Sequence, residues 1–197
     1  MNKGRLEAFS DGVIAILITI MVLELKLPHG TDLESLAPLI PVFLSYVLSY
    51  VFLGIYWTNH HHMLHAARQV NGRVLWANLY LLFWLSLVPF VTGWLGENHS
   101  AGLPTAVYGF VMLMAGMAFS FLQRSIIAVD GPDSPLARAW GANRKGTISH
   151  TLYAVAIPVA FVRPWISEVL FTVVALMWFI PDPRIEQMVK RSAGAGE

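Results

Sequence analysis

Long apolar segments recur along this chain, and they constrain its fold more than any other feature of the sequence. A bilayer core about 30 Å thick requires about 20 mostly apolar residues per helix. We predict six such segments, at residues 6–27, 37–59, 74–95, 103–123, 147–163 and 165–181. Because 56% of the residues are hydrophobic and only 13% are charged, the composition also indicates a membrane protein. The expected fold is an all-α integral membrane protein, in which residues 1–197 form a single domain of six transmembrane helices.

The positions of Lys and Arg predict the orientation of these helices, because the cytoplasmic connections of membrane proteins are enriched in both residues. With the N-terminus in the cytoplasm, Lys26 and Arg163 are the two basic residues of the 13 that fall outside. The inside set consists of Lys3, Arg5, Arg68, Arg73, Arg124, Arg138, Arg144, Lys145, Arg184, Lys190 and Arg191. Six spans with both termini in the cytoplasm satisfy this rule, whereas five or seven do not.

Several function classes are excluded by what the sequence lacks. The chain has no Cys, which excludes disulfides, thiolate metal sites and thiol catalysis. Its net charge of +1 gives no indication of a nucleic acid partner. No pair of catalytic carboxylates lies inside a predicted span, so we expect neither an enzyme nor a cofactor. The start resembles a signal peptide, but Glu7 and Asp11 interrupt it, and we expect the first segment to be retained as a membrane helix.

One face of the first segment carries a stripe of residues at helical spacing. Its members are Ile16, Thr19, Ile20, Leu23 and Leu27. On these residues alone, contact with lipid or with a neighbouring helix is the favoured interpretation. No motif is shared between the two halves of the chain, and six spans leave little room for a pore inside one copy. A pore would therefore be built from several copies related by symmetry.

Arg5, just before the first segment, and Asp11, within it, are charged residues that need an explanation. A charge at bilayer depth is costly unless it faces protein or water. At 100° per residue Asp11 lies about 140° around the helix from Ile16, so it points away from the stripe and toward other helices. Because Arg5 and Asp11 do not share a face, we expect Asp11 to have a partner on another helix. The Arg5 side chain is expected to extend to the cytoplasmic interface.

The order Arg5-x-x-x-Phe9-Ser10-Asp11, followed by a long aliphatic run, resembles the signature of the transmembrane protein 175 family of potassium channels. The chain length is similar to that of the prokaryotic members, which have one six-helix unit per subunit. This resemblance implies a homotetramer in the cell membrane, embedded in lipid, with a central pore lined by the first helices. Potassium and other monovalent cations would be the permeant species. Ile16 would form the constriction, with Thr19, Ile20 and Leu23 on the same pore wall.

The physical logic of such a pore differs from that of channels with a carbonyl filter. The sequence contains no Thr-Val-Gly-Tyr-Gly loop. Hydrophobic rings instead gate by dewetting and make a passing ion shed part of its hydration shell. Potassium holds its water less tightly than sodium, so we expect a modest preference for potassium.

Four histidines within residues 60–65 raise an alternative function, a secondary carrier or divalent-metal transporter. His61 and His65 share a face at the spacing of zinc ligands on a helix. No acidic third ligand lies nearby, so a helix end capped by His side chains is the favoured interpretation. The family resemblance implies a different role, a network in which His and Trp from the second and third segments brace the motif Arg and Asp. The candidates, among which the sequence leaves the choice open, are His60, His61, His62 and Trp76.

The seven Trp residues fall mostly near predicted span ends. An amphipathic ring at that depth is typical of an interfacial anchor. We therefore interpret Trp57, which lies just before the His cluster, as an anchor.

Overall fold

The structure, a computed structural model, describes residues 3–140 and 144–179, and the regular secondary structure in this part of the chain is entirely helical. The prediction of an all-α protein is confirmed. The α-helices are α1 (Lys3–Ile20), α2 (Ile40–Ala66), α3 (Gly72–Ser86), α4 (Val88–Glu97), α5 (Gly102–Asp130), α6 (Pro135–Trp140), α7 (Arg144–Ala160) and α8 (Pro164–Phe179). Two 3₁₀ helices, Met21–Glu24 and Leu33–Leu39, extend α1 and precede α2.

Four helical stretches are long and apolar enough to cross a membrane. They are Lys3–Glu24, Leu33–Ala66, Gly72–Glu97 and Gly102–Asp130. The fifth and sixth predicted segments fall on α7 and α8, which have 17 and 16 described residues and are shorter than the roughly 20 that a span requires. The chain is a multi-pass membrane protein, and the count of six spans stays a prediction. Residues 180–181, Arg184, Lys190 and Arg191 lie outside the described residues.

The third predicted segment, 74–95, contains a helix break. α3 ends at Ser86, and α4 begins at Val88 with Pro89 in its first turn. Proline has no backbone N–H, and its ring clashes with the carbonyl four residues earlier, so it fits at the start of a helix but not in its interior. The helix therefore ends at Ser86 and a new helix begins at Val88. The apolar pattern alone did not predict this break at Leu87.

Two predicted helix ends are displaced. The first segment was expected to be helical to Leu27, but α1 tightens into the 3₁₀ helix and the chain is extended at Leu25, with φ −77° and ψ 110°. Pro28 follows shortly and would end a helix in any case. In contrast, α2 continues beyond its predicted end at 59, because the side chains of His60, Met63 and Leu64 are buried against the rest of the subunit.

The connection between α1 and α2 is tied down at two points. Lys26 Nζ lies 2.6 Å from Glu97 Oε1 at the end of α4. The Asp32 carboxylate accepts a hydrogen bond from the Ser35 hydroxyl and another, of 3.0 Å, from the Ser35 backbone amide, so it caps the 3₁₀ helix Leu33–Leu39. Both bonds stabilise the ionised carboxylate and so lower the pKa of Asp32. The bond from the hydroxyl has the larger effect and the bond from the backbone amide the smaller one.

Side-chain contacts across the helices define two ends of the bundle. At the end that contains the start of α1, which we call the N-terminal end, Lys3 Nζ donates to the carbonyls of His65 and Ala67 at the end of α2. At the opposite end, Gly102 of α5 lies so close to Ala160 of α7 that an added Cβ would come within 2.8 Å of the Ala160 carbonyl oxygen. The long helices therefore alternate in direction between these two ends.

The centre of the bundle is α5, which packs against α3, α4, α7 and α8. Its fully buried face includes Met112, Ala115, Ala118, Leu122 and Ile126. Small residues on this face let the neighbouring helices approach closely, as is usual where lipid tails are as apolar as the side chains. In the described chain α1 packs against α2, α3 and α4, at one side of the bundle.

A candidate pore helix and its buried polar contacts

α1 has one face inside the subunit and another outside it. The buried face follows a helical repeat through Leu6, Ser10, Ile14, Leu17 and Met21. Ser10 is the polar member of this set, and it is completely buried. A buried hydroxyl requires a hydrogen-bond partner, so the contacts of Ser10 reveal how α1 is held.

Ser10 is linked to two other helices through a buried amide. Asn78 Nδ2 of α3 donates to Ser10 Oγ at 2.9 Å, and Asn78 Oδ1 lies 2.7 Å from His60 Nε2 of α2. Since an amide oxygen only accepts, His60 carries its proton on Nε2 in this arrangement. All three side chains are at most 1% exposed. The chain of bonds ties α1, α2 and α3 together at one point, which we call the Ser10–Asn78–His60 cluster.

Asp11 has a partner on another helix, as expected. The partner is Trp57 of α2, whose indole Nε1 donates to Asp11 Oδ1 at 3.0 Å. Asp11 is partly exposed rather than buried, and its partner is a neutral donor rather than a cation. The interpretation of Trp57 as an anchor was therefore incomplete, because a tryptophan whose N–H binds the motif Asp also positions α1. Together with Ser10, Asp11 gives α1 polar contacts on two adjacent faces.

A third set of polar contacts fastens the loop between α2 and α3. Lys3 reaches the end of α2, as described above. Asp130, the last residue of α5, accepts hydrogen bonds from the backbone amides of Arg68 at 2.8 Å and of Gln69 at 3.1 Å. The loop is thus held from one side by the start of α1 and from the other by the end of α5, and these contacts fix the depth of α1 in the bundle.

The four residues predicted to line a pore are exposed in the single subunit. Ile16 is 57% exposed, Ile20 41% and Leu23 77%, and Thr19 is exposed between them. The Thr19 hydroxyl donates to the carbonyls of Ile16 and Ala15 on its own helix, at 2.9 and 3.1 Å. Its proton is therefore directed at the backbone, and the lone pairs of its oxygen remain available on the outer face.

The other predicted site residues divide into two groups. His60 lies in the Ser10–Asn78–His60 cluster, and His61 stacks on Trp57 with ring centroids 6.1 Å apart. Trp76 is 75% exposed, and Phe9 is 52% exposed. Arg5 is exposed and forms no ion pair with another described residue, and His62, half-buried, contacts the ring of His61. The structure therefore brings Ser10, Asp11, His60 and His61 together around Trp57 and Asn78, while Arg5, Phe9 and Trp76 lie outside this arrangement.

Sequence reasoning missed Asn78, although a signal for it exists. It is the one amide in the apolar stretch 74–95, four residues after a buried Val74 and three before a buried Leu81. A polar side chain on the core face of a membrane helix requires a partner within the protein. That argument, applied to α3 as it was to α1, predicts a buried hydrogen bond at Asn78.

The His cluster was also considered as a metal site. His61 and His65 do share a face of α2, with stacked rings whose centroids are 6.2 Å apart. In the described part of the chain, no group of three or more His, Cys, Asp or Glu side chains is placed to hold a metal ion. The alternative function of a metal transporter therefore draws no support from these residues.

These features define a class, a multi-pass helical membrane protein whose first helix is braced on one side and exposed on the other. Residues 5–89 match the family described as endosomal/lysosomal potassium channel TMEM175. A potassium channel of Chryseobacterium sp. (strain P1-3) is 49% identical over 192 residues, which cover 98% of this chain and 100% of that one. The crystal structure of a lysosomal potassium-selective channel TMEM175 homolog from Chamaesiphon minutus matches with a TM-score of 0.79 and 29% identity, covering 90% of this chain and 96% of that one.

The human relative, an endosomal/lysosomal proton channel TMEM175, is 32% identical over 96 residues, which are 42% of this chain and 19% of the human one. The chain belongs to the TMEM175 family, as the Arg5-x-x-x-Phe9-Ser10-Asp11 resemblance implied. The family and these relatives are channels, which confirms that the chain is not an enzyme.

Proposed function

We propose that this chain is the subunit of a potassium-permeable channel of the cell membrane, in which four copies surround a central pore lined by α1. Each copy would cross the membrane six times with both termini in the cytoplasm, which places the N-terminal end of the bundle on the cytoplasmic side. The observation that carries the proposal is the asymmetry of α1. Directional hydrogen bonds at Ser10 and Asp11 fix its rotation, and the stripe of Ile16, Thr19 and Ile20 faces out of the subunit.

In the proposed tetramer, the stripe would face the stripes of the other three subunits across the pore. A single subunit does not provide this environment. Most soluble homo-oligomers close by rotational symmetry, and we extend that tendency to this membrane chain. A four-fold arrangement would bring four copies of Ile16 to one level, and four copies of Ile20 and Leu23 to levels further along the pore. Rings of this kind exclude water when closed and strip part of the hydration shell from an ion that passes. Thr19 would supply four hydroxyl oxygens to replace some of that water.

The relatives support potassium as the main permeant ion, and other monovalent cations would pass less readily. The Chryseobacterium protein and the Chamaesiphon structure are both named for potassium. Because the filter would act by partial dehydration, its selectivity should be weaker than that of a carbonyl filter. No resident cofactor is proposed, since the permeant ion is the only ligand that this mechanism requires.

Ion flux into liposomes tests the proposal. With potassium and sodium gradients, the protein should pass potassium faster than sodium, and Ile16→Asn should increase the flux of both ions and abolish the preference. Ile148→Asn is the matched control, because Ile148 on α7 is also exposed, at 47%, but lies outside α1. Unchanged selectivity in a folded Ile16→Asn channel would contradict a filter at this position.

The absence of Cys makes orientation and spans directly testable. Single-cysteine variants at Arg138, in α6, and at Arg163, between α7 and α8, should react with a membrane-impermeant maleimide from opposite sides of the membrane. Reaction of both from the same side would contradict six spans. Native mass spectrometry of the detergent-solubilised protein should give a mass of four subunits, and a dimer or trimer would rule out the tetrameric pore.

A further inference from the structure

A face of the bundle away from α1 combines exposed aromatic rings with exposed arginines. It is formed by one stripe on α3, Arg73, Trp76 and Tyr80, and one on α5, Met117, Phe121 and Arg124. Each stripe has the three- and four-residue spacing of a single helical face. We call this surface the α3–α5 face. It has no part in the proposed pore, and the network of Ser10 and Asp11 does not include it.

Ring contacts show which parts of the two helices lie against each other. Tyr80 lies edge-on to Phe121 with centroids 6.5 Å apart, and further along the pair Trp84 lies edge-on to Phe110 at 5.7 Å. The helices run in opposite directions, so lower numbers on α3 match higher numbers on α5. Arg73 lies seven residues before Tyr80 and Arg124 three residues after Phe121, so both are on the same side of that contact, about 10 Å and about 5 Å along their helices from it.

Both arginines lie close to the N-terminal end of the bundle. Arg73 is the second residue of α3, and Arg124 precedes the end of α5 at Asp130 by about 9 Å, at 1.5 Å per residue. Both side chains are exposed, and neither forms an ion pair with another described residue. A cation in the first turn of a helix is also disfavoured by the helix dipole, so Arg73 does not serve to stabilise α3.

The aromatic part of the face continues from the arginines toward the middle of the bundle. Trp76 is 75% exposed, Met117 49%, Phe121 45% and Tyr80 40%. Side chains of this size on a membrane protein suit contact with acyl chains, and a Trp next to basic residues suits the level of the lipid head groups. The face therefore presents two positive charges at head-group depth and an apolar strip that extends from them.

We propose that the α3–α5 face is a binding site for one anionic phospholipid. The head-group phosphate would contact the guanidinium groups of Arg73 and Arg124, and an acyl chain would lie along Tyr80 and Phe121. Charge complementarity selects this occupant, because a guanidinium pair binds phosphate and a zwitterionic lipid offers no net charge to it. The site depends on where the helices lie in the membrane and does not depend on what passes through the pore.

Fluorescence quenching by brominated lipids tests the site in the intact protein. The signal of Trp76 is taken as the difference between the wild-type protein and Trp76→Phe, because the chain has seven Trp. Brominated phosphatidylglycerol should quench this signal at a lipid fraction about 25-fold lower than brominated phosphatidylcholine, since each of the two surface arginines strengthens binding to anionic lipid about fivefold.

The variants separate the site from a general attraction to charge. Arg73→Gln combined with Arg124→Gln should remove the preference for phosphatidylglycerol, whereas Arg138→Gln, at an exposed arginine of α6, should keep it. For the wild-type protein, raising the salt concentration should also weaken the preference, so the test stands even if the double variant does not fold. Equal quenching by the two lipids, or a preference retained by the folded double variant, would overturn the proposal. Absence of quenching by either lipid would overturn it too, because another copy of the chain would then cover the face.

Discussion

The first half of α1, residues 3–13, is attached to the subunit by directional polar contacts. Ser10 binds Asn78, Asp11 binds Trp57, and Lys3 binds the end of α2. The second half, through Met21, presents Ile14, Leu17 and Met21 to the core, and the side chains of residues 14–21 make no described hydrogen bond to another helix. It ends in a 3₁₀ helix rather than in a capped α-turn.

The difference separates two tasks within one helix. A hydrogen bond has a preferred direction, so bonds on two faces of α1 set both its rotation and its depth. Apolar contacts are not directional and tolerate a small rotation or shift. The stripe of the proposed pore begins at Ile16, just beyond the polar contacts. The direction in which the stripe faces is therefore set by the hydrogen bonds of the first half. The second half is left with contacts that permit movement, which suits a gate.

Asn78→Ala should have the largest effect on stability, a loss of about 3 kcal/mol in the free energy of unfolding, because it leaves the buried Ser10 and His60 without a partner at about 1–3 kcal/mol each. Reversible unfolding in mixed detergent micelles, followed by circular dichroism, measures this loss. Asn98→Ala is the matched control. Asn98 is exposed and its amide binds only the Trp94 carbonyl of its own helix, so a loss of about 0.5 kcal/mol or less is expected. Similar losses in both variants would mean that the cluster does not brace α1.

Met21→Ala tests the apolar half and should cost about 2 kcal/mol, from the cavity that it leaves in a membrane interior where packing replaces the hydrophobic effect. Met21 is completely buried, whereas Leu23, two residues later, is 77% exposed. Leu23→Ala is therefore expected to change the unfolding free energy little while it changes ion flux. The reverse pattern, a stable Met21→Ala and an unstable Leu23→Ala, would show that the faces of α1 are assigned the wrong way round.

The bond between Asp11 and Trp57 should contribute about 1 kcal/mol, below the range for buried bonds to charged groups because solvent reaches both side chains. A double-mutant cycle with Asp11→Ala and Trp57→Phe measures this coupling energy. A second cycle with Asp11→Ala and Trp76→Phe serves as the control, because Trp76 is exposed and lies outside this arrangement. The coupling energy of that cycle should be about 0.3 kcal/mol or less. Equal coupling energies in the two cycles would show that Trp57 does not help to orient α1.

Much of this division between halves was predictable from residues in the first segment. The geometry of a helix places Asp11 away from Ile16, and the cost of a charge in lipid predicts a partner for it on another helix. The family resemblance, and not the spacing, identified the stripe as a pore wall, since contact with lipid or with a neighbouring helix is the favoured interpretation of an apolar stripe by itself. The partner itself was not predictable, because Trp57 lies 46 positions away and its side chain also fits an anchoring role.

The helix ends show why the remaining details escaped prediction. Hydropathy ended the second segment before His60, yet α2 continues to Ala66 because tertiary contacts bury His60 and Leu64. Hydropathy also merged α3 with α4, since the single residue Pro89 changes the mean hydropathy of a long apolar segment little, while its effect on the backbone is local. Burial and backbone sterics decide these boundaries, and a residue's hydropathy reports neither.

The smallest expected effect concerns the ion pair between Lys26 and Glu97. In the described part of the chain it is the one ion pair that links the connection after α1 to the end of α4. Lys26 and Glu97 are 68% and 46% exposed, so Lys26→Gln should cost about 0.5 kcal/mol, and less at high salt because exposed pairs are screened. Unfolding measured at low and high salt checks both statements, with Lys26→Arg as the variant that keeps the charge. If Lys26→Gln instead cost as much as Asn78→Ala, irrespective of salt, the outer end of α1 would be held as firmly by polar contacts as its start. A second half held by apolar contacts alone, which a gate would require, would then lose its structural basis.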